Sequence, residues 1–178
     1  MLLNKVPVLD KGYVALVDCS NTTRKLRDIG QEFFDNGEYP TSLEELGTLT
    51  LVIKCPLFVQ LNISKFNLKI INVPDKEQHA YSPSVGEIGS PDRTTNEEIA
   101  ADISRTTSAL LINPKAYQAD GCDRFVSQII TPINVYTTII VHGSYNEWCK
   151  FACQQGFTPG PIKAYHQAIE QIITSEWM

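Results

Sequence analysis

Long apolar runs are missing from this sequence. None reaches the ~18 residues of a membrane-spanning helix, so no helical anchor of that kind is expected. The opening MLLNKVPVLD has too short an apolar stretch for a secretory signal. Positive charge is scarce as well. Against 20 Asp and Glu stand 15 Lys and Arg, for a formal net charge of −5. Broad, sequence-independent binding to nucleic acid needs a basic face and is not expected here. A small nucleotide stays open, because one phosphate needs only a local pocket. Internal repeats and low-complexity tracts are absent too. So are a phosphate-cradling P-loop, a dinucleotide-binding Gly-x-Gly-x-x-Gly, paired zinc spacings and a hydrolytic triad readable from spacing.

Cysteine is sparse and unpatterned. Cys19, Cys55, Cys122, Cys149 and Cys153 are odd in number and scattered, which fits reduced thiols in a cytoplasm. Cys149 and Cys153 share a helix face, but no second pair accompanies them. The expected metal count is therefore none, and the thiols are expected to act as small buried hydrophobes.

What is present describes one soluble-type domain over residues 1–178. The apolar share of 43% over 178 residues is enough for a sizeable core. Residues 12–18, GYVALVD, read as a strand. Residues 22–35 carry Leu26, Ile29, Phe33 and Phe34 on one helical stripe, which Asn36-Gly37 would stop. TSLEEL at 41–46 opens a short helix, with Ser42 as cap and Glu45 at capping-box spacing. TLTLVIK at 48–54 alternates Leu49, Leu51 and Ile53 on one face of a strand, and Pro56 suits the first turn of a following helix. A strand is expected at 66–73, then a loop at 82–95 rich in Pro and Gly. Thr94 and Thr95 precede Glu97 and Glu98 as caps of a helix to about residue 112, with Ile99, Ile103 and Leu110 inward. Asn113-Pro114 would end it. A helix at 122–131, a β-branched strand at 133–142 and a helix at 144–155 around Trp148 and Phe151 follow. Pro161 opens a last helix with Ile162, Tyr165, Ile169 and Ile172 on its apolar stripe and His166 on its polar face. Strands and helices are partly segregated, so the fold class is α+β.

Three segments, in order, carry a family resemblance: VLDKGYVALVD at 8–18, TSLEELGTLTLVIKCPLFV at 41–59 and GCDRFVSQIITPINVYTTIIVHGSYNEWCKF at 121–151. Together they resemble the flavin-dependent thymidylate synthases over nearly the whole chain. That resemblance implies a mixed or antiparallel sheet with packed helices, and a homotetramer with shared sites or a heteromer with an intact paralogue. It also implies a pyrimidine nucleotide such as dUMP as ligand, with FAD and methylenetetrahydrofolate as cofactors. Enzymes of this family grip two anionic ligands with arginines, a histidine and polar side chains.

The chemical positions depart from that pattern. Against the signature Arg-His-Arg-x-x-Ser-x-Asn-Glu-x-Ser-x-Arg-Tyr, aligned on Cys55-Pro56, this chain has Lys65, Phe66 and Asn67 at the first three positions. It has Ile70 at the serine, Val73 at the glutamate and Asp75 at the second serine, while Asn72 matches. Leu61-Asn62 replaces a preceding Arg-Gln. Glu45 matches the Glu of a Glu-His pair whose histidine is Leu46. Arg124 and Pro132 fit a later segment whose arginine is Gln128. Ser144, Lys150 and Gln155 stand where the family has asparagine, histidine and arginine.

Lysine does not replace a bidentate arginine. A charge-assisted hydrogen bond contributes about 1.5–3 kcal/mol, so several losses weaken binding by orders of magnitude. The residues carried over by the resemblance for nucleotide or flavin binding are Glu45, Asn62, Lys65, Asn72, Arg124 and Lys150. Lys65, Lys69, Arg124, Lys150 and His142 are the groups that could rebuild an anion site; each lysine reads more simply as a solvated surface charge. Tyr136, Tyr145 and Trp148 read as packing residues. No catalytic residue is assigned.

The resulting expectation is a diverged homologue that binds a dUMP-like nucleotide and has altered or lost methyl or hydroxymethyl transfer at C5. It would suit a viral or accessory copy, in a host cytoplasm if viral. The alternatives are a non-catalytic partner subunit and, last, an active FAD-dependent synthase with an unusual site.

Overall fold

Alternation along the strands builds the centre of the molecule. The computed structural model describes residues 3–20, 47–74, 78–87, 93–120, 132–154 and 160–177. Its sheet has five strands: β1 (Leu3–Val8), β2 (Gly12–Ser20), β3 (Thr48–Pro56), β4 (Lys69–Val73) and β5 (Tyr136–Ser144). Their order is β1-β2-β3-β5-β4, and every neighbouring pair is antiparallel. β3 lies in the middle, and its Leu49, Leu51, Ile53 and Cys55 are fully buried. The register sets Val14 and Ile139 beside Ile53, and Leu16 and Val141 beside Leu51. Period-2 side-chain alternation makes this one apolar face.

Among the described residues, three helices cover that face: α1 (Leu57–Ile63), α3 (Tyr145–Ala152) and α4 (Gly160–Trp177). The stripe of α4 behaves as its spacing requires, with Tyr165, Ile169 and Ile172 almost wholly buried. Tyr165 reaches through to donate its hydroxyl to Lys54 O at 2.8 Å. Trp148 of α3 is fully buried and donates its indole N–H to Leu49 O at 3.0 Å. The opposite sheet face carries Thr50, Val52, Ile140 and His142, all partly or largely exposed.

The long helix α2 (Arg93–Ala119) differs from expectation in three ways. It begins at Arg93, so Thr94 and Thr95 lie inside its first turn. It continues past Asn113-Pro114, where the missing proline N–H removes one bond of the helical ladder. Its Ile99 is 38% exposed, whereas Asn96 and Thr107 are buried. The reason is polar docking: Asn134 Nδ2 donates to Thr107 Oγ1 at 3.1 Å and to Tyr81 O at 2.9 Å.

Other expectations also need correction. β1 lies outside the strands that the sequence pattern predicts. Its alternation is interrupted by a register shift between Leu3 and Val6, and Asn4 has a positive φ of 44°. The strand expected at 66–73 is shorter, because Phe66 closes the turn after α1 through its N–H to Ile63 O. His166 is not on a polar face: it is 5% exposed and packs edge-on against Phe151, with ring centroids 4.4 Å apart. It falls between Ile162 and Ile169 on the same apolar stripe. Among the described cysteines only Cys55 is fully buried; Cys153 is exposed. The helices expected at 22–35, 41–46 and 122–131 lie outside the described residues.

Candidate functional site

The corner where α1 meets β4 and α3 holds most of the signature-derived positions. α1 starts directly after Pro56, and its first free N–H groups are satisfied by a neighbouring segment. Leu57 N donates to Val135 O at 2.9 Å and Phe58 N to Ile133 O at 3.0 Å. The helix ends in a tight turn, with Lys65 N donating to Asn62 O.

Several groups there are engaged in packing and hydrogen bonds. Phe66, at the family's histidine position, stacks edge-on against Phe151 at 5.2 Å. Asn67 N donates to Glu147 Oε2 at 3.2 Å. Lys150 Nζ pairs with Glu147 Oε1 at 2.6 Å. That lysine holds the Glu147 carboxyl below its ordinary value, against slight burial, with the Asn67 N–H helping. Lys150 is therefore charge-balanced by its own helix. Ser144, where the family has asparagine, caps α3 by accepting from Glu147 N.

The remaining candidates divide. Lys65 is exposed at this corner. Asn72 Oδ1 accepts from Gln60 Nε2 at 2.9 Å across the α1–β4 gap. Asn62 is 8% exposed, and its buried Oδ1 has no hydrogen-bond partner among the described residues. Lys69 and His142 are cross-strand neighbours on the sheet's opposite face, and His142 Nδ1 lies 2.8 Å from Thr50 Oγ1. A single anion site built from Lys69, His142 and Lys150 is thus split across the sheet. Glu45 and Arg124 lie outside the described residues. With Leu61, Phe66 and Asn67 in place of cationic donors, this corner does not fit FAD.

A polar cleft lies elsewhere, lined by residues that no sequence motif singles out. Asp10, Lys11, Gln78, His79, Ser104 and Ser108 are among the residues that line about 370 Å³ between the β1–β2 turn, the 78–82 segment and α2. That volume is in the range of small-ligand pockets. Tyr136 holds two of its walls. Its hydroxyl donates to Asp10 Oδ1 at 2.5 Å, and its N–H donates to His79 O at 2.7 Å. Burial, together with the Asp10 carboxylate, pushes the Tyr136 pKa far up, so it stays a proton donor. A second hollow of about 560 Å³ shares Gln78, Ser108 and Leu111 and adds Ile112 and Ala116. One end of the combined cleft offers a cation, a carboxylate and hydroxyls; the other offers aliphatic surface. No periodicity or motif links these three distant segments, so the sequence carried no signal of it.

No protein-family model matches the sequence, and no curated relative does. Among solved structures, the chain is similar to the UMP/dUMP methylase PolB from Streptomyces cacaoi, determined with bound 5-Br dUMP. The TM-score is 0.70 at 13% identity, covering 96% of this chain and 91% of that one. At that identity the likeness establishes a shared α+β fold around the antiparallel sheet.

Proposed function

We propose that this chain is a diverged pyrimidine-nucleotide-binding protein of the flavin-dependent thymidylate synthase type, with altered or lost transfer chemistry at C5. The observation that carries this reading is the end-to-end fold likeness to a UMP/dUMP methylase. Support for lost chemistry comes from the aligned corner, where Phe66 is committed to packing and Glu147 neutralises Lys150. No step through flavin is derived, because Leu61, Phe66 and Asn67 supply no cationic donor for it there.

Calorimetric titration with dUMP and UMP tests the reading. Saturable binding is expected, with no thymidylate formed when FAD, a reductant and methylenetetrahydrofolate are supplied. Robust thymidylate synthesis would show instead an active synthase with an unusual site. A second reading, a non-catalytic partner subunit, draws on the exposed sheet-face residues Val17 (46%) and Ile71 (53%). It predicts no nucleotide binding together with a native mass above that of one chain.

A further inference from the structure

The geometry points to the cleft beneath Tyr136, and not the signature-derived corner, as the nucleotide's seat. This inference rests on the nucleotide-binding reading and adds a location and a role for each group. At the corner Lys150 is paired with Glu147 at 2.6 Å, which leaves Lys65 as its exposed cation. The cleft sets a cation beside a carboxylate and hydroxyls. Lys11 is exposed at its rim and can pair with a phosphate. Asp10 uses one oxygen on Tyr136, which leaves the other to accept a sugar hydroxyl. Ser108 donates its own hydroxyl proton to Ser104 O at 2.8 Å, so towards a ligand it acts as an acceptor.

The two ends of the combined cleft match the two ends of a nucleotide. Leu111 and the 67%-exposed Ile112 offer aliphatic surface for the flat face of a base. Gln78 lies at the junction of the two hollows, and its amide provides a donor and an acceptor. A pyrimidine's adjacent keto and imide groups need both. The site is also preorganised. Tyr136 fixes Asp10 and the His79 backbone, and Asn134 ties α2 to Tyr81. Fixed walls lower the ordering cost of binding.

The test is calorimetry with dUMP and uridine on the wild type, Lys11→Ala, Ser108→Phe and Lys65→Ala, each checked for an unchanged melting temperature. Lys11 and Ser108 are exposed, so both changes leave the fold intact. Lys11→Ala should weaken dUMP binding by about tenfold or more, the loss of one charge-assisted contact, and leave uridine binding unchanged. Ser108→Phe should abolish saturable binding by filling the junction. Lys65→Ala should stay within about twofold of wild type. Wild-type binding that survives both cleft variants would overturn the location while leaving the nucleotide-binding reading in place. A drop in dUMP affinity for Lys65→Ala alone would return the site to the signature corner. A wild type that binds neither ligand would overturn both readings.

Discussion

Gly12 offers the sharpest test of how this core is built. It pairs with Val8 in the β1–β2 ladder and lies directly against Tyr165 of α4. A Cβ there would sit 1.9 Å from the Tyr165 hydroxyl oxygen, 2.7 Å from Val8 O and 2.8 Å from Lys54 O. The two carbonyls belong to strands on either side, so neither retreats without opening the sheet. Tyr165 is fully buried and its hydroxyl is committed to Lys54 O. Overpacking costs about 1–3 kcal/mol, and displacing the hydroxyl adds about 1 kcal/mol or more. Gly12→Ala should therefore lose about 3 kcal/mol in urea denaturation. At about 2–4 °C per kcal/mol for a chain of this size, Tm should fall by about 6–12 °C. Tyr165→Phe alone should cost about 1–2 kcal/mol, because Lys54 O loses its donor. The double variant should cost less than the sum, since the shortest contact is gone. A Gly12→Ala protein within about 0.5 kcal/mol of wild type would refute this packing; strict additivity would show that the hydroxyl is not the obstacle.

Two further stability predictions follow from the same core. His166 is buried against Phe151, its Nε2 has no partner among the described residues, and burial pushes its pKa down. The unfolded chain binds a proton near pH 6.5 that the folded chain refuses, so stability is complete above that value and is lost as pH falls below it. His166→Leu should flatten this slope between about pH 7 and 5, and a slope that persists would place the acid sensitivity elsewhere. Trp148→Phe removes the bond to Leu49 O and leaves a void beside Phe151. It should cost about 2–4 kcal/mol in chemical denaturation, and a loss below about 1 kcal/mol would contradict the burial described.

Periodicity made the framework readable in advance. Leu49, Leu51 and Ile53 alternate because only a half-buried strand needs that pattern, and all three are fully buried. Ile162, Tyr165, Ile169 and Ile172 repeat at helical spacing for the same reason, and the full stripe, read with His166 and Ile173, identifies the histidine as a core residue. The end of α2 was less readable. Asn113-Pro114 is a strong local stop, and the helix nevertheless continues to Ala119. It docks through the polar Thr107, and Ile99 of the expected apolar stripe is 38% exposed.

The amino-acid order alone decided the local pieces: which face of each strand is apolar, where α1 and α4 begin, and that three cationic positions of the family it resembles hold Leu61, Phe66 and Asn67 while Lys65 keeps its charge. Those follow from interactions between residues a few positions apart. Only the folded chain decided that Glu147 would reach both Lys150 and Asn67, that Lys69 and Lys150 would face opposite sides of the sheet, and that Asp10, His79 and Ser104 would meet around Tyr136. Such meetings depend on strand order and helix docking, where burial of distant apolar faces selects the partners, and no short-range pattern encodes them.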